Sequence, residues 1–283
     1  MAYTKFQPSG ILEPYIAFYY IWERDDYLMI PVNVRGQANS TCVLVFNYGD
    51  RYLFYNPVCD GIYLPKTFIS GFSRSPFMLR LTGKVAMLGV VFRGMRFTRL
   101  FKKIPPLAEL HDRRIDFEFV AGGEAGIVNE KLGSAKDNKD RVNIMNQYFE
   151  AKVSAQNNSL SKNNLIVEII EKNKGMIRMD DLAAKIESSP RQMRRVFNNE
   201  AGIGPKYFAR LKRFNYVNLC LSEDPSLSWF DFINDYGYYD QSHFIKEYQE
   251  FTGVPPTLFL KNLDSIRGKI SKENIRDKLL TEN

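Results

Sequence analysis

Arg191, Arg194 and Arg195 stand three and four residues apart, a spacing that gathers three guanidinium groups on one face of a helix. A guanidinium can grip guanine O6 and N7 with two parallel hydrogen bonds, or hold a phosphate, so this face suits a nucleic-acid duplex. Ser189-Pro190-Arg191-Gln192 opens the segment as a Ser-x-x-Gln capping box with proline at the first helical position. Further on, Gln241, Ser242, His243 and Lys246 project from a helix whose other face holds Phe244, Tyr248 and Phe251 at i, i+4, i+7. Glutamine can pair with adenine through two hydrogen bonds, whereas serine and histidine make shorter, less specific contacts. A lone histidine is as readily a core or surface residue; because Phe244 and Tyr248 take the buried face, His243 is expected to be exposed.

The elements that would position these side chains recur. At an offset of 51 residues Ser189 matches Asp240, Met193 matches Phe244, Arg195 matches Lys246, and Phe197 matches Tyr248. Gly202 matches Gly253, Pro205 matches Pro256, and Phe208 matches Phe259 at the same offset. A repeat in register is an architectural unit before it is anything else. In the second copy an apolar helix (Trp229, Phe230, Phe232, Ile233) runs to a turn at Gly237, and Asp240 caps the helix that follows. In the first copy Met193, Val196 and Phe197 are expected to bury against Leu182, Ala183 and Ile186. Helix, tight turn and a second helix with a polar outer face is the helix-turn-helix plan. The copies are joined by a helix expected over residues 205–221, about 26 Å long at about 1.5 Å per residue. Its Lys206, Arg210, Lys212 and Arg213 are candidates for phosphate contact, or else a solvated face.

On these residues the chain resembles the AraC-type transcription regulators. The resemblance is carried by Asp180-Asp181-Leu182-Ala183, by Ser189 through Phe197 and by Gly202-Ile203-Gly204-Pro205. In the second copy it is carried by Gly237 through Phe244 and by Gly253-Val254-Pro255-Pro256. It spans roughly residues 163–260, with departures at Phe230, Ile233, Tyr248 and Gln249. It implies a DNA-binding region of two helix-turn-helix units joined by a long helix, with Arg191, Arg194, Arg195, Gln241, Ser242, His243 and Lys246 facing the duplex. It further implies a sensing domain before that region. The partners it brings are double-stranded DNA and, as candidates, a small-molecule effector, RNA polymerase and a second copy of the chain.

Charge alone does not carry the nucleic-acid reading. The chain has a formal charge of +7, yet residues 159–260 hold thirteen Lys/Arg against thirteen Asp/Glu. What remains is local sign: the three arginines stand together while the acids sit largely on other helices. The three cysteines, Cys42, Cys59 and Cys220, are far apart without ligand spacing and read as unpaired thiols of a reducing cytosol. With no run of eighteen apolar residues and no apolar signal core at the start, a cytoplasmic chain without a membrane span is expected.

Residues 1–110 read mostly as strand, with apolar segments at 16–23, 41–47, 51–55, 78–82 and 86–92 punctuated by turn residues. That spacing suggests a small barrel or sandwich. The stretch from Phe72 to Leu110 resembles the cupin-like sensing barrel that many AraC-type proteins carry. Tyr15, Tyr19, Trp22, Phe46 and Tyr48 would line a ligand pocket there or fill the core. Helical patterns follow at 118–132 and 138–153, either pairing two subunits or covering the barrel. The expected fold is therefore α+β: a cupin-like β-barrel with flanking helices, then an all-α domain of two helix-turn-helix units. Its expected boundaries are 1–110, a helical extension at 111–155, the DNA-binding domain at 156–262 after a polar linker near 155–159, and a charged tail at 263–283.

Two other classes compete with a DNA-binding regulator. A cupin-like barrel can house an enzyme, usually through a metal held by histidines and a carboxylate. The chain has two histidines, His111 and His243, in different regions, so no metal or cofactor is expected and only a metal-free enzyme stays open. The bulky Phe230 and Ile233 leave room for an adaptor that keeps the helical fold without binding DNA.

Overall fold

The computed structural model describes residues 2–24, 26–101, 103–154, 162–223 and 236–258. The chain divides into two compact units, one holding most of residues 1–159 and the other residues 160–283, with the short segments 37–40 and 73–76 grouped in the second.

Among the described residues the first unit is built on ten strands: β1 (Ala2–Phe6), β2 (Ile16–Glu23), β3 (Leu28–Gly36), β4 (Val43–Asn47), β5 (Leu53–Asn56), β6 (Cys59–Tyr63), β7 (Thr67–Ser70), β8 (Phe77–Gly83), β9 (Ala86–Phe92) and β10 (Ile115–Asp116). They form a six-stranded sheet, order β1-β2-β9-β4-β7-β10, and a four-stranded sheet, order β3-β8-β5-β6. All the pairings are antiparallel. A core between the sheets draws Trp22, Val45, Phe68 and Met87 from the larger one and Leu28, Phe54 and Leu81 from the smaller. The architecture is α+β with two facing sheets rather than a closed barrel. The segments expected at 16–23 and 86–92 are β2 and β9 to the residue.

Every residue of β9 is buried, and four of the five in β4, so the larger sheet is covered on both faces. The cover is helical: α1 (Leu107–Leu110), α2 (Glu118–Ala121), α3 (Glu124–Ser134) and α4 (Asn138–Ser154). Phe149 of α4 meets Phe92 edge-on at 5.8 Å, and Phe46 meets Phe117 edge-on at 6.0 Å. Tyr19 donates its hydroxyl to Asn146 Oδ1 at 3.1 Å. Tyr19, Trp22 and Phe46 are thus core residues, and Tyr48 donates to Glu23 at 3.2 Å. The helix expected over 118–132 is two helices, because Gly122 takes φ +61° and turns the chain at Gly122-Gly123. Ile127, placed on the apolar stripe by spacing, is 56% exposed after that break resets the phase.

The second unit contains α5 (Lys162–Lys172), α6 (Met179–Lys185), α7 (Pro190–Ala201), α8 (Pro205–Glu223) and α9 (Gln241–Thr252). Leu182, Ala183, Met193, Phe197 and Phe208 are buried around the first helix pair, with the Phe197 and Phe208 rings 5.7 Å apart. Leu211, Phe214, Val217, Tyr238, Phe244, Tyr248 and Phe251 make a second core where α8 meets α9. The expected apolar helix at Trp229–Ile233, the linker at 155–159 and the charged tail lie outside the described residues. Among the described residues no helix is long and apolar enough to cross a membrane. Among the described residues Cys42, Cys59 and Cys220 are in no disulfide.

Candidate nucleic-acid interface

The repeat is a repeat of backbone hydrogen bonds. At the start of α7 Ser189 Oγ accepts from Gln192 N–H at 3.2 Å, and at the start of α9 Asp240 Oδ1 accepts from His243 N–H at 2.7 Å. Both helices end on a left-handed glycine, Gly202 at φ +69° and Gly253 at φ +75°. Their N–H groups donate to Asn198 O and Gln249 O, each at 2.8 Å. Start, length and stop therefore coincide at the 51-residue offset, because each depends on residues no more than four positions apart. Ser189→Ala and Asp240→Ala should each lower stability by about 0.5–2 kcal/mol in urea unfolding. Unchanged midpoints in both variants would mean the caps do not hold these helices.

The turns before the two helices differ. The second passes through Gly237 at φ +69°, the first through Glu187 at φ +50°. A glutamate there carries steric strain that glycine avoids.

On α7 the buried residues are Met193, Phe197 and Ala201, strictly four apart. Val196, expected on that stripe, is 38% exposed because it lies about 100° around the helix from Phe197. Arg191, Arg194 and Arg195 are all exposed on the outer surface, and among the described residues none is held in an ion pair. On α9 Gln241, Ser242 and Lys246 are exposed, while Phe244, Glu247, Tyr248 and Phe251 are buried. His243 is only half exposed: its Nδ1 accepts from Tyr239 N–H at 3.3 Å and its Nε2 lies 4.0 Å from Glu247.

The joining helix spends its cations inside the protein. Glu247, 1% exposed, accepts from Arg210 Nε at 2.8 Å and from an Arg213 terminal nitrogen at 2.9 Å. Arg210 also donates to Glu250 at 2.6 Å, and Arg213 to Gly237 O at 3.0 Å beneath the Tyr238 ring. Burial works against the Arg210 charge, yet the hydrogen bonds it donates to Glu247 and Glu250 outweigh that and raise its pKa. Lys212, 3% exposed, pairs with Glu171 of α5 at 2.8 Å. Of the four cations proposed for phosphates, three are engaged in ion pairs and Lys206 alone is exposed. The signal in the sequence was Glu247, a carboxylate at a position where the α9 pattern calls for an apolar residue.

A family described as a helix-turn-helix domain matches residues 182–262. A domain of unknown function matches residues 4–116. Among curated proteins no sequence matches the chain. Of the solved structures, an apo lysine-to-alanine variant of ToxT from Vibrio cholerae is 11% identical, with 87% of this chain and 97% of that one covered, at a TM-score of 0.49. An unsaturated-fatty-acid-bound ToxT from Vibrio cholerae is 12% identical over 84% and 97% of the two chains, at a TM-score of 0.44. The AraC-like transcriptional activator CuxR is 13% identical over 75% and 84%, at a TM-score of 0.24.

Proposed function

We infer that this chain, an AraC-type DNA-binding regulator by its C-terminal helix-turn-helix domain, recognises a specific operator sequence and answers to a small molecule held by its N-terminal unit. The observation that carries the reading is the pair of 12-residue helices, α7 and α9, each capped by a side-chain oxygen, stopped by a left-handed glycine and polar on its outer face. In this reading Arg191, Arg194 and Arg195 enter one major groove, and Gln241, Ser242, His243 and Lys246 enter the next. The joining helix of 19 residues is about 28 Å long at about 1.5 Å per residue. Successive major-groove faces lie about 34 Å apart, so the width of each unit closes the difference, with a slight bend of the DNA absorbing the rest. The internal ion pairs of Arg210, Lys212 and Arg213 support a stiff joint, which fixes the spacing of the two reading helices. The remaining parts of the reading are a cytoplasmic location, a homodimer, contact with RNA polymerase and no catalysis.

Mobility-shift assays with fragments of the cell's own genome test this directly. A specific complex whose footprint covers two adjacent major grooves is expected. The absence of any specific fragment, with the protein folded, would favour the adaptor. A fragment beginning near Leu160 should fold and keep the operator affinity within about tenfold, since every residue proposed to meet the duplex, at base or phosphate, lies within it. An unfolded or inert fragment would move the domain boundary.

A further inference from the structure

Tyr239 is 91% exposed, the most exposed of the large apolar side chains among the described residues. It stands one residue before Asp240, the N-cap of α9, while Tyr238 beside it is 5% exposed. We propose that the Tyr239 ring is a further base-reading group of the second helix-turn-helix unit, lying against the 5-methyl group of a thymine. The proposal rests on the reading of α9 as a helix that enters the major groove.

The turn that carries the ring is held from Gly237 to Asp240. Gly237 O accepts from Arg213 at 3.0 Å, and Tyr238 packs edge-on against Phe244 at 5.0 Å. The Tyr239 N–H donates to His243 Nδ1 at 3.3 Å, and Asp240 Oδ1 accepts from His243 N–H at 2.7 Å. A ring presented on a fixed backbone meets a partner with less ordering cost than one on a loose loop. The first unit has no such ring. At the 51-residue offset it has Ser188, whose Oγ turns back to donate to Ser189 O at 3.4 Å. The helix-turn-helix plan therefore does not call for an aromatic side chain here.

Single apolar side chains on a surface are ordinary, so exposure alone decides nothing. What sets this ring apart is its place, because a recognition helix reads bases with its N-terminal residues. Asp240 is extended, at φ −156° and ψ 176°, so Tyr239 and Gln241 stand about 7 Å apart at most. That is close to two base-pair steps of about 3.4 Å each. The exposed Asp240 carboxylate disfavours a phosphate beside the ring. Within the groove, the apolar group that an aromatic side chain can cover is the thymine methyl. Where Gln241 takes an adenine, the thymine lies within two base pairs of it.

The test uses the full chain and the genomic fragment that it shifts most tightly. Each thymine under the footprint is replaced in turn by deoxyuridine, which lacks only the 5-methyl group. One replacement should weaken the wild-type complex about fourfold, the worth of one buried methyl. Tyr239→Phe keeps the ring and should keep that penalty. Tyr239→Ser should bind the unmodified fragment more weakly by about the same factor and lose the penalty at that thymine. A wild type indifferent to every deoxyuridine would overturn the contact, as would Tyr239→Ser binding like the wild type or keeping every penalty. So would loss of the penalty in Tyr239→Phe, since the hydroxyl would then be the reading group. Arg194→Ala on the same fragment separates the two readings. Weakening there with none in Tyr239→Ser sinks this contact alone, whereas the absence of any specifically shifted fragment sinks the operator reading and the contact with it.

Discussion

Glu247→Ala is expected to loosen the second helix-turn-helix unit and to cost about 3 kcal/mol of stability, at the lower end of what removing one partner from a buried ion pair costs. The carboxylate is 1% exposed and bridges two guanidiniums on the joining helix, so its removal leaves Arg210 with Glu250 and Arg213 with the Gly237 carbonyl, and takes the buried counter-charge from both. The low end applies because Arg210 keeps 29% and Arg213 12% of side-chain exposure, and water can solvate them in part. Domains are stable by only about 5–15 kcal/mol, so such a loss is a large share of what holds α9 in place. The opening should be local. Hydrogen exchange should accelerate in α9 and the end of α8 that faces it, while α7, whose core is built on Met193, Phe197 and Phe208, keeps its protection. Glu247→Gln should cost less, since it keeps hydrogen-bonding oxygen and shape while losing the charge. Unchanged urea midpoints in both variants would show that apolar packing alone seats α9.

Arg194→Ala and Arg195→Ala address the other half of the mechanism. Each should weaken operator binding by about 1–3 kcal/mol if the arginine holds a base edge. If it holds a phosphate instead, loss is nearly uniform across sequences and the slope of log affinity against log salt falls by about 0.9. Stability should not fall in either variant, because both side chains are exposed and alanine is the better helix former. That combination separates a reading residue from a structural one. Operator affinity unchanged in both, with the fold intact, would remove α7 from the duplex.

The two variants probe charges of the same kind with opposite fates, and spacing alone does not tell them apart. Arg191, Arg194 and Arg195 on α7, and Arg210 and Arg213 on α8, both form i, i+3 clusters of guanidinium groups. The first cluster meets no acid among the described residues, whereas the second meets Glu247 and Glu250 from a helix that begins some thirty residues later. His243 shows the same limit. Its neighbours' spacing placed it off the buried face, and it is off that face, but Tyr239 and Glu247 draw both ring nitrogens toward the protein. In the first unit β3, β6 and β7 were hard to read for a related reason. β3 carries Pro31 and a mixed pattern, and it lies on the edge of its sheet with one face in water.

By itself the sequence determined what is local. The caps at Ser189 and Asp240 and the left-handed stops at Gly202 and Gly253 follow from contacts within a few residues, and β2 and β9 were legible as runs of strand-favouring residues bounded by turn residues. Only the tertiary structure decided which charges are engaged inside the protein. Lys212 is committed to Glu171 forty-one residues away, and Arg210 and Arg213 to Glu247 of a helix beyond their own. Burial decides the fate of a charged group, and burial is set by segments distant in the chain whose approach no local pattern encodes.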